Sequence, residues 1–501
     1  MVAPFSGVPG WPSVANGHRT PFDSGGNRVL EDRALLTRRL ILPLLALALI
    51  GAVAHPGEAA AVEFRLDGMF RLRANLFDSL SLHRQDERDE GVRSFIDMRL
   101  RLVPHIRINN SVHVYADIDL LDALAFGGNP AGANPAILQA IGQQTADGTL
   151  FNEPVGLTGG VLPGEDYRDS LFARRAWVEV YTKYVDLKIG RMGSHWGMGL
   201  LANDGNCDTC DYGDIVDRLM ISTSAIDPVR ISFAIDTRAE GFINRDDDTH
   251  SFLLQGGYLH EVWKVGAYVR WTRRPSNKLN LLHGDIWGSA KLGPLFVEAE
   301  ALIAWGQAAT TDIGVEDLKI LSGGGALHAT LAVSPWEAKL SLGAATGDKD
   351  PLDNAWHTMR FDRDYDVGLL MFEHPMPQFQ IGDAANEADG PLGNVDTSSA
   401  IAHEGVSNAF FIRPQFHFNI LDNLRAGISI VTAWPMVPAA FGNTDTDPRN
   451  FYGAEFDGDV TFTLHNAVEL KAQAGLFLPG NVFGATRAVT FGGELRALVR
   501  F

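Results

Sequence analysis

The stretch Phe64-Arg65-Leu66-Asp67-Gly68-Met69-Phe70-Arg71-Leu72-Arg73-Ala74-Asn75-Leu76 decides the fold class. Its even positions are apolar or small and most of its odd positions are charged or polar. Successive side chains of a β-strand point to opposite faces, so this segment has one greasy and one ionic face. The pattern continues outward. Ile96, Met98, Leu100, Leu102, Ile106 and Ile108 alternate with Asp97, Arg99, Arg101, His105 and Arg107, and Val112, Val114, Ala116, Ile118 and Leu120 with His113, Tyr115, Asp117 and Asp119.

A soluble sandwich also alternates, so length and spacing must decide. These segments run to about 10–14 residues, against about five or six for an average soluble strand, and a tilted membrane-crossing strand needs about 9–11. Tight turns at Asn109-Asn110, Ala225 to Pro228, Gly293-Pro294, Ser334-Pro335 and Leu421 to Asn423 alternate with longer polar connections. The latter fall at 81–92, 127–170, 194–213, 238–249, 273–284, 306–318, 346–408 and 435–450. Short periplasmic turns alternating with long external loops are the rule of outer-membrane barrels. The expected fold is therefore all-β: a transmembrane antiparallel up-and-down β-barrel of about 18 strands, within a range of about 16–20. Strands are expected to start near 63, 94, 111, 173, 184, 214, 229, 250, 264, 285, 295, 320, 335, 409, 424, 454, 467 and 488. Residues 366–373 fit either an added strand pair or a loop. Pro104 and Pro414 fall inside strands and are expected at bulges or strand ends, because proline cannot donate to a ladder.

Composition agrees. The 501 residues are 46% hydrophobic and 21% charged, with 52 glycines, which excludes a disordered chain. A mean hydropathy of −0.02 excludes a bundle of apolar membrane helices. A net charge of −19 argues against nucleic acid as a partner. At the front, Arg38-Arg39 precedes the apolar run 41–54 and Ala59-Ala60-Ala61 offers a cleavage site, so 37–61 reads as a signal peptide. Residues 1–36 read as a disordered leader or a misassigned start, and 62–501 as the barrel. The last strand alternates down to Phe501, a terminal aromatic like that read by the barrel assembly machinery. Trp271, Trp305 and Trp434 fall near external strand ends and Trp263 and Trp336 near tight turns, where aromatic girdles sit.

The ionic face of an open barrel lines water and sets transport preference. Arg65, Arg71 and Arg73 neighbour Arg99 and Arg101, Arg496 closes beside them, and Arg175 and Lys188 follow, which gives a basic wall. Glu298 and Glu300 lie about half a barrel away by strand order, so a transverse field is expected. Loops 127–170 and 346–408 are long enough to fold over the bore.

The segment Gly190 to Asp214 is most like a site. Cys207 and Cys210 are expected as a disulfide, since an exported chain meets an oxidising compartment. A structural calcium held by Asp204, Asn206, Asp208 and Asp211 is an alternative, although Thr209 replaces the loop glycine and Ile215 the bidentate Glu. Zinc at His195, Cys207 and Cys210 lacks a fourth ligand, and a redox dithiol lacks a helix N-terminus. No cofactor is otherwise implied. Ser194 and His195 are adjacent, so on a strand they face apart, and no hydrolase or phosphate-binding motif appears; the chain is not read as an enzyme.

The run Arg174-Arg175-Ala176-Trp177, Gly190-Arg191-Met192-x-Ser194-His195-Trp196-Gly197-x-Gly199 and Asn203-Asp204-Gly205-Asn206-Cys207-x-x-Cys210-Asp211-Tyr212-Gly213-Asp214 resembles an uncharacterised family of large bacterial outer-membrane barrel proteins, porin-like in kind. The resemblance, shared by Phe70 to Leu76 and Tyr115 to Asp119, implies location and fold and brings no activity. Gly-Arg-x-x-x-x-Trp-Gly is also similar to the strand-to-loop edge of substrate-selective porins. Together these readings predict an outer-membrane channel for passive diffusion of small polar or anionic solutes, in contact with outer-membrane lipid and lipopolysaccharide, with a homotrimer added by analogy. The competing expectation is a plugged receptor or adhesion scaffold that uses its long acidic loops.

Overall fold

In the computed structural model the described residues are 62–78, 92–125, 171–223, 227–239, 248–276, 278–310, 315–349, 353–373, 405–438, 450–465, 467–483 and 489–501. The expected leader, signal peptide and loop 127–170 lie outside them. The strands in chain order are β1 (Glu63–Asp78), β2 (Val92–Arg107), β3 (Val112–Ala125), β4 (Leu171–Tyr181), β5 (Val185–Gly193) and β6 (Ile215–Thr223). Next come β7 (Val229–Ala239), β8 (Thr249–Leu259), β9 (Trp263–Arg274), β10 (Leu279–Leu292), β11 (Leu295–Thr310), β12 (Val315–Val333) and β13 (Trp336–Ala345). The last are β14 (Ala355–Trp356), β15 (Ala409–Leu421), β16 (Leu424–Pro435), β17 (Gly453–Leu464), β18 (Val468–Pro479) and β19 (Thr490–Arg500). β14 is a two-residue piece of a loop that pairs parallel with Lys319 and Ile320. The other 18 pair antiparallel with their neighbours, and β1 closes on β19 from Met69↔Arg500 to Phe77↔Gly492. Closure leaves no unpaired edge, as hydrocarbon requires.

Burial is inverted relative to a soluble protein. Arg71 and Arg99 are 0% and 1% exposed, whereas Ile286, Ile428 and Leu495 are all above 60%. One outward row of cross-strand neighbours, from β5 to β12, reads Ile189, Leu219, Ile235, Phe252, Trp271, Leu282, Trp305, Leu321. The parallel row nearer the external ends reads Arg191, Asp217, Thr237, His250, Arg273, Asn280, Gln307, Lys319. The outer face thus changes from apolar and aromatic to polar in one step of register, as a lipid boundary demands.

Two expectations need correction. β10 begins at Leu279, not near 285, and β12 at Val315, not near 320, so the connections 275–278 and 311–314 are short. Of the two fits given to residues 366–373, the loop is the one observed. Pro104 and Pro414 sit at neither bulges nor ends. Pro104 pairs with Leu66 and Pro414 with Leu340, while the ladder to the opposite neighbour skips each proline without changing register. A strand residue donates to one side only, so a proline costs one bond in one ladder.

At the closing seam Phe501 exchanges backbone hydrogen bonds with Gly68, N to O at 3.0 Å and O from N at 2.8 Å. A Cβ on Gly68 would lie 2.5 Å from the Phe501 ring and 2.7 Å from the Arg101 carbonyl oxygen. Gly68→Ala is therefore expected to weaken closure by about 1–3 kcal/mol, read as a lower temperature for loss of the heat-resistant folded band on gels.

Candidate functional site

The connection 194–214, between β5 and β6, turns into the barrel instead of outward and crosses the bore. One end is held by β1 and β2. Asp211 accepts from Arg71 (2.5 Å), from Arg73 (2.7 and 3.0 Å) and from Arg99 (3.4 Å). The Cys210 carbonyl accepts from Arg99 (2.6 Å) and Arg71 (3.3 Å), and the Gly205 carbonyl from Arg101 (3.2 Å). The other end reaches β10 and β11, half a barrel away. There the Met198 N–H donates to Glu300, and Trp196 Nε1 donates to Asp285 at 2.9 Å. Gly197, at φ 55°, lies so close to Glu300 that a Cβ would collide with its carboxylate. Wall cations take loop carbonyls and wall carboxylates take loop N–H groups, so the backbone polarity of an irregular segment is satisfied inside the lumen.

A bulge supplies one anchor that alternation does not reveal. Asp117 pairs with Arg175 but Ile118 pairs with Ala173, so Arg174 is the extra residue. A bulge sets two successive residues against one partner, and both arginines reach the loop. Arg174 donates to the carbonyls of Asp204, Gly205 and Tyr212; Arg175 donates to Asn206 Oδ1 at 2.9 Å and pairs with Asp117 at 3.2 Å. Gly205, at φ 65°, sits where a Cβ would strike the Arg174 guanidinium and the Tyr212 carbonyl.

A second inward segment, 353–373, belongs to the long connection 346–408. Its apolar side chains Phe361, Tyr365, Val367, Leu370, Met371 and Phe372 pack with Leu200, Phe411, Tyr452 and Phe477 in one cluster. Glu455 on β17, 0% exposed, accepts three successive N–H groups, from Leu369 (2.8 Å), Leu370 (2.8 Å) and Met371 (2.6 Å).

The two segments meet at Asp364, whose Oδ1 accepts from the Asp211 N–H (2.9 Å) and the Tyr212 N–H (3.2 Å). Burial pushes the Asp364 carboxyl up to about 6; the two N–H groups hold it back and the carboxylates of Asp211 and Asp366 add to the rise. Asp362 is raised well above the ordinary carboxylate value, chiefly by burial and then by Asp214 and Asp364. Burial would also raise Asp211, but Arg71, Arg73 and Arg99 hold it well below the usual carboxylate range. A carboxyl that keeps its proton better when docked favours docking as pH falls, here from about 6 toward the ordinary carboxylate value of about 3.9. Asp211 stays ionised throughout that window. Hydrogen exchange at the Tyr212 amide, corrected for its intrinsic rate, is therefore expected to slow more between pH 7 and pH 5 in the wild type than in Asp364→Asn.

The expected basic wall faces inward but is not bare. Arg71, Arg73, Arg99, Arg101 and Arg175 are covered by segment 194–214, and Arg101 is also bidentate with Asp119 at 2.6 and 2.8 Å. Arg496 is buried beside Glu469 and Glu494, Lys188 is paired with Glu179 at 2.7 Å, and Arg65 is an exposed residue paired with Asp67. Opposite them, Glu300 is engaged by the loop and Glu298 accepts from Trp287 Nε1 at 2.9 Å. The charges expected to set up a transverse field thus each meet a local partner, the arginines in carboxylates and loop carbonyls and the two glutamates in N–H groups.

The proposed calcium ligands do not converge. Asp204 Oδ2 faces Asn206 Nδ2 at 2.7 Å, Asp208 pairs with Arg500, and Asp211 is taken by three arginines. Among the described residues no three His, Cys, Asp or Glu side chains gather as a metal set. Cys207 and Cys210 are bonded to each other, with Cα atoms 5.1 Å apart. Ser194 Oγ accepts from Arg218, and His195 lies 3.9 Å from Asp204, so the adjacent pair is not turned together.

Sequence reasoning missed Arg174, Glu455 and two wall lysines. On the sector left beside the loops, Arg413, Asp457 and Asp459 are 12–21% exposed at their side chains. Lys339 and Lys471 are half-buried there and, among the described residues, make neither an ion pair nor a hydrogen bond.

No family model and no curated protein matches this chain. Among solved structures, a BenF-like porin from Pseudomonas fluorescens Pf-5 is similar at 8% identity and a TM-score of 0.50, over 88% of this chain and 98% of that one. OccK9 (OpdG) of Pseudomonas aeruginosa is similar at 10% identity and a TM-score of 0.50, over 88% and 99%. At such identities the likeness concerns the fold, and with the apolar outer face it makes this chain an 18-stranded outer-membrane β-barrel of porin architecture.

Proposed function

We propose that the protein is a porin-like channel through which small polar solutes diffuse, narrowed at mid-height by segment 194–214. The observation that carries this reading is the patch of inner wall around Arg413, Asp457 and Asp459, whose side chains keep 12–21% exposure beside both inward segments. Under the loop, by contrast, Arg71, Arg99 and Arg175 keep at most 2%. The preference is for small anions and rests on the unpaired Lys339 and Lys471, not on the arginine rows, whose charge is neutralised locally. The solved porins bear on the fold alone and leave the solute open. The apolar cluster around segment 353–373 favours a second reading, a plugged receptor.

Reversal potentials under a salt gradient test the first reading. Chloride is expected to carry more current than potassium, and Lys339→Gln with Lys471→Gln is expected to lower that preference by about threefold, roughly 0.6 kcal/mol. Absence of any current would favour the plugged receptor.

A further inference from the structure

The inner wall of β2 to β4 carries a row of rings that the constriction does not use. His105, Tyr115 and Trp177 are cross-strand neighbours in one lumen-facing row. Their planes are parallel to within 8° and 13°, with centroids 4.3 and 5.1 Å apart. His113 stacks beside them on His105 at 5.2 Å and meets the edge of Tyr181. All lie toward the short-turn ends of their strands, below the arginine anchors. None of these rings is fully buried. The neighbouring lumen-facing side chains toward the arginine anchors, Arg99, Arg101, Asp117, Asp119 and Arg175, are ionic, so a strip of stacked rings facing the bore is a change in the chemistry of these strands.

The stack has an open end. The next residue in the row after Trp177 is Gly190, which places no side chain against the indole and is itself half-exposed. A Cβ there would fall within 3.0 Å of Trp177 Cα and Cβ, and Gly190 holds φ 131°, a backbone that side chains rarely adopt. The row continues with Arg218, which is turned to Asp236 and Ser194 and does not fill the gap. The indole is fixed in place, because its Nε1 donates to Glu179 at 2.9 Å and Glu179 also accepts from Lys188.

We propose that Trp177 and the space over Gly190 form a binding site for a planar ring on a passing solute, an aromatic ring or the flat face of a sugar, as the next member of the stack. Offset stacking on an exposed, pre-oriented ring requires no new ordering of the wall, and the ligand sheds water from one apolar face. Lys188, one row nearer the short turns and partly exposed at its side chain, supplies a polar contact to the ring substituents. This inference rests on the channel reading insofar as the ring is that of a transported solute.

The test uses the purified full barrel with nicotinamide as a neutral aromatic probe, methyl glucoside as a neutral pyranose and sorbitol as an acyclic control. Current interruptions in planar bilayers give dwell times, and saturation transfer in detergent micelles reports binding without any current. One or both ring probes are expected to dwell and to receive saturation, and which of them does so identifies the ring chemistry; sorbitol is expected to do neither. Trp177→Leu is expected to shorten the dwell about threefold to tenfold, while the lipid-facing Trp271→Leu changes nothing. Tyr115→Leu, which undermines the stack without touching the slot, is expected to have a smaller effect in the same direction. Equal dwelling by sorbitol, or ring binding untouched by Trp177→Leu, would overturn the site. Saturation transfer that depends on Trp177 in a protein that passes no current would keep the site and sink the channel reading alone.

Discussion

Asp211→Ala is expected to release the inward segment 194–214 from β1 and β2 and to enlarge the channel. One carboxylate there serves three guanidiniums: Arg71 at 2.5 Å, Arg73 at 2.7 Å and Arg99 at 3.4 Å. Removing it leaves Arg71, fully buried, with Asp97 at 4.0 Å as its nearest counter-charge. Breaking one partner out of a buried ionic group typically costs about 3–5 kcal/mol, because the charge left behind stays desolvated. Asp211 is itself partly exposed, so the lower end is expected. The covalent barrel and its ladders are untouched, so the loss should fall on docking of the segment and not on the fold. Single-channel current is expected to rise at least about twofold, with added open-state noise, and an external protease should cut within 204–211. Asp211→Asn, which still accepts one hydrogen bond, should lie between. Wild-type current and protease resistance in Asp211→Ala would show that the guanidiniums do not anchor the segment.

Glu455→Ala should free the second inward segment. Three successive backbone N–H groups, those of Leu369, Leu370 and Met371, converge on this carboxylate at 2.6–2.8 Å. Alanine leaves them buried without an acceptor, at about 1–3 kcal/mol for each group that water cannot reach. The apolar cluster that includes Phe361, Met371 and Phe411 then loses the tether that orients it. Exchange mass spectrometry is expected to show the peptide 365–373 unprotected in Glu455→Ala and largely protected in Glu455→Gln, which keeps one carbonyl oxygen. Equal protection in all three proteins would mean that apolar packing alone holds the segment.

Much of the barrel was legible because its physics is local. The alternation from Phe64 to Leu76 follows from strand geometry, and β1, β7, β11, β15 and β16 begin where that alternation begins. The starts of β10 and β12 were misplaced because the stretches beyond the apolar belt, such as Leu279-Asn280-Leu281-Leu282-His283-Gly284, no longer alternate cleanly. The inward direction of Arg71, Arg73 and Arg99 was also local. Their partner was not: Asp211 is 140 residues from Arg71, and nothing in the spacing says that connection 194–213 turns inward. Arg174 was invisible for a third reason, since a bulge breaks the parity by which faces are assigned. The prolines misled because parity tells which face a side chain takes but not which neighbour an N–H would have served.

The most direct test of the whole description is the single-channel current of the purified barrel in a planar bilayer, measured beside a variant in which 197–211 is replaced by a short Gly-Ser link. Small, discrete steps are expected from the wild type and steps several-fold larger from the shortened protein, because the segment spans the bore between Arg71 and Glu300. Steps of equal size in the two proteins, or no current from either, would contradict a water-filled barrel narrowed by its own loop.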